Sequence, residues 1–177
     1  TRRELLQGFG ALVVGAAIPL PGRIGRLLGA DAVAATPPAP LAANAFVRIA
    51  PDSTVTVLVH HIEFGQGTFT GLATLVAEEL DADWAQVKTE FAPSDPEKYK
   101  NLAFGVQGVG GSTGLPNSYM QYRTAGATAK AMIVAAAARS WGVKASEITV
   151  SKGVVSHASG KTATLGALAV LAAAEAV

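Results

Sequence analysis

The residues of this chain best suited to chemistry stand in a short glycine-containing turn, Gly65-Gln66-Gly67-Thr68. The turn follows an apolar, β-branched run at residues 54–59 and precedes a helical pattern of apolar residues that ends at Leu80. Because a helix N-terminus carries unpaired N–H donors and about half a positive charge, such a turn is suited to bind phosphate or another anion. The plainer alternative is a structural turn in which glycine only supplies a positive φ.

A second glycine-rich segment, Gly108-Val109-Gly110-Gly111-Ser112-Thr113, precedes the longest helical pattern of the sequence, residues 117–141. Its main-chain N–H groups and two hydroxyls can form a second anion-binding nest, with a flexible glycine hinge as the alternative. In a layered fold, two such loops at helix starts on one sheet edge can clamp the ends of a long, phosphate-bearing cofactor. Neither segment is a P-loop or a Rossmann fingerprint, so the pair does not predict a common nucleotide site.

The side chains beside these loops offer no complete catalytic set. Glu63 is either a catalytic carboxylate or, as we favour, a group that caps or hydrogen-bonds the turn. His60 and His61 are adjacent in a predicted strand, where alternation sends their rings to opposite faces, so we expect no metal site. Ser112 has no His–Asp pair to activate it as a nucleophile. Three large aromatic residues are assigned to core or edge packing: Trp84, Tyr122 and Trp141.

The composition indicates a folded chain and excludes several kinds of site. Half of the 177 residues are apolar, 15% are charged, and the net charge is +1. This apolar content excludes a disordered body, and the lack of a Lys/Arg cluster interleaved with aromatic residues argues against nucleic acid as a partner. The sequence has no cysteine, which excludes disulfides, thiolate metal sites, Cys-ligated iron–sulfur clusters and a cysteine nucleophile within this chain.

Residues 1–35 have the pattern of an export signal. They begin Thr-Arg-Arg-Glu-Leu-Leu-Gln, continue with a Gly/Ala-rich apolar stretch too short for an ordinary membrane span, and include small residues at 30–35 that suit cleavage. This order is similar to a twin-arginine signal, which predicts a periplasmic protein, or one on the periplasmic face of the inner membrane if the segment remains as an anchor. The alternative is an ordinary amphipathic helix. Prolines at 37, 38 and 40 predict a linker over residues 36–43.

Residues 44–177 are predicted to form a mixed α+β body, with a two-layer arrangement of sheet and alanine-rich helices. The patterns predict a hairpin at 46–60, a helix at 66–80, a strand at 87–91, a long irregular loop at 92–113, a helix at 117–141, a second hairpin at 148–157 and a final helix from residue 164 to the last residue. Because its side chains are small, we expect the helix at 117–141 to lie close on a sheet and to be buried along most of its length. The final helix stops in mid-pattern, as in a truncated chain.

Three motifs carry a resemblance to a known family. HIEFGQGT at residues 61–68, VAEEL at 76–80 and GGST at 110–113 resemble the molybdopterin-binding large subunit of the xanthine dehydrogenase/aldehyde oxidase family. The branch they resemble is the isoquinoline 1-oxidoreductase beta subunit type, together with periplasmic membrane-bound aldehyde dehydrogenases. The resemblance extends over nearly the whole chain from Arg2 onward.

The resemblance implies how a cofactor is held. Two sets of residues are implied to contact it: Gly65, Gln66 and Gly67 at the molybdenum–pterin end, and Gly110, Gly111, Ser112 and Thr113 at the pterin or phosphate end. In this branch the cofactor is molybdopterin cytosine dinucleotide, whose dithiolene holds the metal. That agrees with a chain that has no cysteine and no histidine ligand set.

The resemblance also implies that this chain is incomplete as an enzyme. Family large subunits are several times longer, and their catalytic base, a Glu after a Gly near the far C-terminus, has no counterpart here. We therefore expect a piece that is inactive alone and works with the remainder of the large subunit, an iron–sulfur subunit and, in some enzymes, a cytochrome c subunit. The whole enzyme would oxidise aldehydes or N-heterocycles with water-derived oxygen. The alternative is a non-catalytic exported α+β module that binds a protein partner.

Overall fold

The computed structural model describes residues 40–173, and these are built around a four-stranded sheet. Its strands are β1 (Leu41–Ala42), β2 (Val47–Ile49), β3 (Val55–Val59) and β4 (Val87–Phe91), hydrogen-bonded in the order β1-β2-β3-β4. β2 and β3 form the predicted antiparallel hairpin. β3 and β4 run parallel, and helix α1 (Thr68–Leu80) connects them, because a parallel pair needs a crossover of this kind. The predicted α+β class is confirmed.

A second, separate sheet has three antiparallel strands in the order β5-β6-β7. These are β5 (Ile148–Ser151), β6 (Val154–His157) and β7 (Thr162–Thr164), and helix α4 (Leu165–Ala172) follows. The predicted hairpin of β5 and β6 is confirmed, with a turn in which both Lys152 and Gly153 have positive φ. β7 was not predicted, since three residues are too few to show a strand period.

The longest helix within residues 40–173, α3 (Gly114–Trp141), packs chiefly on α1. At the crossing, a Cβ built on Gly126 would lie 2.8 Å from the main-chain oxygen of Val76, so the two helix backbones touch. The expected contact with a sheet is present, through β2 and through the Tyr122 hydroxyl, which donates to the Leu58 carbonyl of β3. The expectation that the helix is buried along most of its length is wrong, because only one side of it is covered. Its buried residues recur every three or four positions on one side, while Met120 on the other side is 63% exposed.

Several element boundaries differ from the predicted ones. Helix α1 begins at Thr68 and not at residue 66, because Gly67 has a φ of 85°. Helix α3 begins at Gly114, three residues early, since Pro116 in the first turn of a helix needs no intrahelical N–H bond. The long loop is interrupted by one helical turn, α2 (Pro96–Tyr99), with proline at its first position.

The described sheet begins at Leu41, which lies within the segment predicted to be a linker. Leu41 pairs with Ile49 of β2 and is buried, because it covers the edge of the apolar core. The predicted export signal and residues 36–39 lie outside the described residues, as do residues 174–177.

Among the helices described for residues 40–173, none has the length and apolar character needed to cross a membrane.

Candidate functional site

The first glycine loop (residues 65–68) lies between the carboxyl end of β3 and the start of α1. Gly65 and Gly67 have φ values of 108° and 85°, in the left-handed region that favours glycine. Helix α1 begins directly afterwards at Thr68. A Cβ built on either glycine meets no atom within 4 Å, so the loop presents an open surface.

The carboxylate of Glu63 accepts hydrogen bonds from both glycines of this loop and from the first turn of α1. Its oxygens accept the main-chain N–H groups of Gly65 at 2.7 Å, Gly67 at 3.1 Å and Phe69 at 3.0 Å. These donors, with that of Phe69 first, lower the pKa of Glu63 to about 2, so the side chain is ionised at neutral pH. The preferred interpretation of Glu63 as the group that hydrogen-bonds the turn is confirmed. The anion on these three donors is therefore part of the chain itself.

The Gln66 side chain folds across the same loop. Its Oε1 atom accepts the Phe64 N–H at 2.9 Å, while Nε2 donates to the Ile62 carbonyl at 2.6 Å and to Thr68 Oγ1 at 3.1 Å. The residue is nevertheless exposed on its outer side. The amide is thus held in one orientation at the loop surface, where a ligand can touch it.

The second glycine loop (residues 108–113) has consecutive free donors, whereas Glu63 takes the N–H groups of Gly65 and Gly67 in the first. Gly111 and Ser112 have φ values of 56° and 54°, and Thr113 Oγ1 closes the turn by donating to the Gly110 carbonyl at 2.7 Å. Within residues 40–173, no hydrogen bond is made by the main-chain N–H groups of Gly110, Gly111 and Ser112 or by the Ser112 hydroxyl. Consecutive unpaired N–H groups beside a hydroxyl fit an anion such as a phosphate.

Asn101 holds the second loop in shape, and the sequence interpretation missed it. The side chain is fully buried; Nδ2 donates to the Gly108 carbonyl at 3.2 Å and to Thr113 Oγ1 at 2.9 Å. Its main-chain N–H donates to the Val106 carbonyl at 2.8 Å. Its residue type could have identified it, because an asparagine side chain in a turn commonly hydrogen-bonds to nearby main chain.

The two glycine loops meet where α1 and α3 begin. A Cβ built on Gly114 would lie 2.9 Å from Thr68 Cγ2 and 3.7 Å from Cγ of the His61 ring. One turn further along α1, a Cβ on Gly71 would lie 2.7 Å from the Leu115 side chain. The structure thus brings together the two loops that the sequence singled out, and glycine at position 114 permits the close approach.

His60 and His61 lie on one side of the chain, so the expectation that their rings point to opposite faces is wrong. Strand β3 ends at Val59, which frees both residues from strand alternation, and the two ring centroids are 4.0 Å apart. Both rings contact Ser118: its Oγ lies 2.8 Å from His61 Nε2 and 3.3 Å from His60 Nε2. Burial lowers the pKa of His60 to about 4 and also lowers that of His61. Both rings are neutral at physiological pH.

A cleft of about 310 Å³ opens beside His60, at the carboxyl ends of the parallel strands β3 and β4. Its walls include the strand-end residues Val59 and Phe91 as well as Gln107 and Gly108 before and within the second loop. Ligands of open α/β sheets bind in crevices of this kind. Within residues 40–173, no group of three or more His, Cys, Asp or Glu side chains is arranged to hold a metal ion.

Comparison with known sequences points to one family. The sequence profile of the molybdopterin cofactor-binding domain matches residues 23–177. The beta subunit of isoquinoline 1-oxidoreductase from Brevundimonas diminuta is 35% identical over 170 residues, which cover 95% of this chain and 21% of that protein. A membrane-bound aldehyde dehydrogenase (pyrroloquinoline-quinone) from Gluconacetobacter polyoxogenes is 34% identical over 118 residues, covering 67% of this chain and 14% of that one. The chain therefore spans about a fifth or less of the curated relatives it matches.

Two solved structures have a fold similar to that of this chain. Quinoline 2-oxidoreductase from Pseudomonas putida 86 superposes with a TM-score of 0.55 at 21% identity, covering 70% of this chain and 15% of that one. Carbon monoxide dehydrogenase from Oligotropha carboxidovorans gives 0.53 at 22% identity, covering 69% and 15%. From the profile match and the sequence relatives, this chain belongs to the molybdopterin cofactor-binding domain family, in the xanthine dehydrogenase/aldehyde oxidase group that its glycine motifs resemble.

Proposed function

We propose that this chain is the cofactor-binding N-terminal part of a molybdenum hydroxylase large subunit that oxidises aldehydes or N-heterocycles with water-derived oxygen. The observation that carries the proposal is the meeting of two glycine loops at Gly114, one presenting an ordered glutamine and the other free main-chain donors. A bound molybdopterin supplies the redox centre of such an enzyme. The roles below belong to this chain's own residues.

The second loop is suited to the charged end of the cofactor. The N–H groups of Gly110, Gly111 and Ser112, together with the Ser112 hydroxyl, make no hydrogen bond within the described residues. Several such donors can surround phosphate oxygens at hydrogen-bond distance without a bulky side chain between them. We assign the pterin or phosphate end to this loop, with Thr113 closing it beneath.

The first loop is suited to the other end. Its glycines leave open space for close approach, and Glu63 accepts the N–H groups of both glycines. We therefore assign it the role of a preformed surface against which the cofactor lies. The Gln66 amide is fixed at its surface by its hydrogen bonds, and we place it near the molybdenum end of the cofactor. Glu63 is not suited to the role of catalytic base, because its oxygens already accept three N–H groups and its pKa of about 2 makes it a weak base.

The rest of the proposal concerns the whole enzyme. The cofactor form is molybdopterin cytosine dinucleotide, and electrons pass to a separate iron–sulfur subunit, in keeping with a sequence without cysteine. The remainder of the large subunit supplies the catalytic glutamate and the substrate pocket, and a cytochrome c subunit is a further partner. Residues 1–35 direct the assembly by the twin-arginine route to the periplasm or the periplasmic face of the inner membrane.

The test is chemical analysis of the complete complex purified from its source cells. We expect molybdenum and a cytidine nucleotide released by acid hydrolysis, in equal amounts. A complex that contains neither, and that still binds another protein through this chain, would instead establish the non-catalytic module.

A substitution tests the assignment of Gln66. Gln66→Ala in the intact enzyme should remove most activity and leave the unfolding temperature within a few degrees of the unsubstituted protein. The matched control is Gln121→Ala, since Gln121 lies on α3 and makes no hydrogen bond to either loop. Equal activity of the two variants would contradict the placement of Gln66 at the cofactor.

A further inference from the structure

A buried polar cluster lies beneath the junction of the two loops. We call His60, His61, Ser118 and Tyr122 the histidine cluster. Their exposed fractions are 4%, 0%, 2% and 0%. Two imidazoles, a hydroxyl and a phenol at this depth need hydrogen-bond partners, because an unpaired buried polar group is costly. Nothing in the proposed binding of the cofactor uses them.

The donors and acceptors available in the cluster determine which atom donates in each of its hydrogen bonds. The Tyr122 hydroxyl donates to the Leu58 carbonyl at 2.8 Å, so its oxygen must accept from His60 Nδ1, which lies at 3.0 Å. His60 is therefore protonated at Nδ1, and its Nε2 atom accepts the Ser118 hydroxyl at 3.3 Å. The Ser118 oxygen in turn accepts Nε2–H of His61 at 2.8 Å. The chain of donation runs from His61 through Ser118, His60 and Tyr122 to β3.

This series of hydrogen bonds begins beside the second glycine loop. The His61 ring packs against Gly114, with Cγ 3.7 Å from the position of a Cβ there. Its Nδ1 atom is buried and has no hydrogen-bond partner within residues 40–173. The main chain of Gly108 raises the pKa of His61 against the larger effect of burial, but it makes no hydrogen bond of normal geometry with Nδ1. His61 thus connects the chain segment before the first loop with both ends of the second.

We propose that His60 and His61 are positioning residues, which fix the spacing of the two glycine loops through Ser118 and thereby govern how firmly the cofactor is held. This inference rests on the proposed function. Ser118 lies in the first turns of α3, directly after the second loop, and His61 lies two residues before Glu63, which orders the first loop. Hydrogen bonds between rigid, buried groups transmit position better than contacts between loop tips.

The electrostatic surroundings make the neutral state of the pair essential. The groups that face the two rings are Tyr122, Ser118 and Gly114 from α3, the Phe46 ring ahead of β2, and the main chain of Gly108. No carboxylate acts on the pKa of either ring within the described residues. A charge on one ring would lie unpaired beside the other, at a centroid distance of 4.0 Å. Acidification should therefore loosen the junction.

The experiment uses the cofactor-loaded enzyme that contains this chain. Its decisive variant is the double substitution His60→Asn and His61→Gln. Asn replaces the Nδ1–H donor to Tyr122, Gln replaces the Nε2–H donor of the 2.8 Å bond to Ser118, and neither side chain titrates. This variant loses only the 3.3 Å bond between Ser118 and position 60. We expect it to keep its molybdenum and pterin at neutral pH and to keep them also near pH 4, where the unsubstituted enzyme loses them as His60 is protonated. His61→Leu and Ser118→Ala break the 2.8 Å bond between positions 61 and 118, which the double variant keeps. They should release the cofactor about tenfold faster at neutral pH, the scale of one buried hydrogen bond.

Ser140→Ala is the matched control, because Ser140 is an exposed residue near the end of the same helix. The proposal is overturned if His61→Leu and Ser118→Ala release the cofactor as slowly as this control, or if the double variant releases it at the same pH as the unsubstituted enzyme. Amide hydrogen exchange at residues 108–114 gives a readout independent of the cofactor. Exchange there should accelerate in His61→Leu but not in Ser140→Ala, and unchanged exchange overturns the positioning role. An unsubstituted complex without molybdenum or pterin refutes the proposed function, and hydrogen exchange then decides the positioning role by itself.

Discussion

The carboxylate of Glu63 accepts the Phe69 main-chain N–H at 3.0 Å, which connects the residues after β3 to the first turn of α1. The other carboxylate oxygen holds the N–H groups of Gly65 and Gly67. An acidic side chain near a helix N-terminus is stabilised by the exposed donors and by the helix dipole. The first glycine loop is therefore ordered by hydrogen bonds within the chain, and it needs no bound ligand to adopt this conformation.

Glu63→Gln should loosen the first loop without unfolding the protein. The amide keeps the size of the side chain but loses the charge that favours three N–H donors at once. We expect faster amide hydrogen exchange at Gly67 and Phe69, with little change in the core strands. Glu78→Gln, on the exposed side of α1, is the control, and similar exchange in the two variants would show that Glu63 does not order the loop.

The stability of the protein should also depend on Glu63 in acid. The N–H donors lower its pKa from 4.5 to about 2, so the folded state binds this proton more weakly than the unfolded state does. The stabilisation is complete above pH 4.5 and is lost as the pH falls from there to about 2. Denaturant titrations across this range should show a shallower fall in the free energy of unfolding for Glu63→Gln, and parallel curves would exclude this contribution.

Gly114→Ala should separate the two loops. The added Cβ would lie 2.9 Å from Thr68 Cγ2, closer than such atoms pack, so the start of α3 must move away from α1. We expect a reduced molybdenum content of the purified enzyme, with secondary structure unchanged by circular dichroism. Thr68→Ser removes the obstructing methyl group, and combining it with Gly114→Ala should restore part of the molybdenum content. A double variant as depleted as Gly114→Ala alone would show that this contact does not set the loop spacing.

The sequence predicted the elements with a clear period and missed those without one. The hairpin of β2 and β3, the strand β4 and the body of α1 follow from alternation or helical spacing of apolar residues. The three-residue β7 and the single turn α2 show no period, and the start of α3 was hidden by Pro116. The exposed side of α3 was misjudged because alanine occurs on both sides of that helix, so composition did not distinguish them.

The candidate site was predictable where local chemistry decides it. Glycine spacing identified both loops, and Glu63 was assigned to the turn from its position alone. The histidine cluster and the role of Asn101 depend on contacts between residues far apart in sequence, such as His61 with Ser118. The paired histidines were misjudged because the end of β3 at Val59 was placed one residue too late. Tertiary contacts of this kind leave no periodic signal in a single sequence.

Asn101→Ala should destabilise the second glycine loop. It removes three side-chain bonds, to the Gly108 carbonyl, to Thr113 Oγ1 and from the Ala103 N–H, and leaves partly buried partners unpaired. From the usual effect of such a loss we expect a decrease of about 2 kcal/mol in the free energy of unfolding. The measurement is denaturant unfolding, with limited proteolysis to detect cleavage within residues 101–113. Asn117→Ala, in the first turn of α3 and without a side-chain hydrogen bond in the described structure, should have little effect. Equal losses in the two variants would contradict the role of Asn101.

Two glycines in the contact between α1 and α3 should respond in opposite ways to alanine. At Gly126 the new Cβ would lie 2.8 Å from the Val76 carbonyl oxygen, and main chain cannot yield without moving a whole helix. The overpacking outweighs the better helix propensity of alanine, so we expect Gly126→Ala to lower the free energy of unfolding by about 1–2 kcal/mol. At Gly71 the obstacle is the end of the Leu115 side chain, which is 38% exposed and can change rotamer. Gly71→Ala should therefore be neutral or stabilise by up to about 1 kcal/mol. Both values come from urea denaturation monitored by circular dichroism. A Gly126→Ala variant as stable as Gly71→Ala would mean that the two helices are not in main-chain contact at Val76.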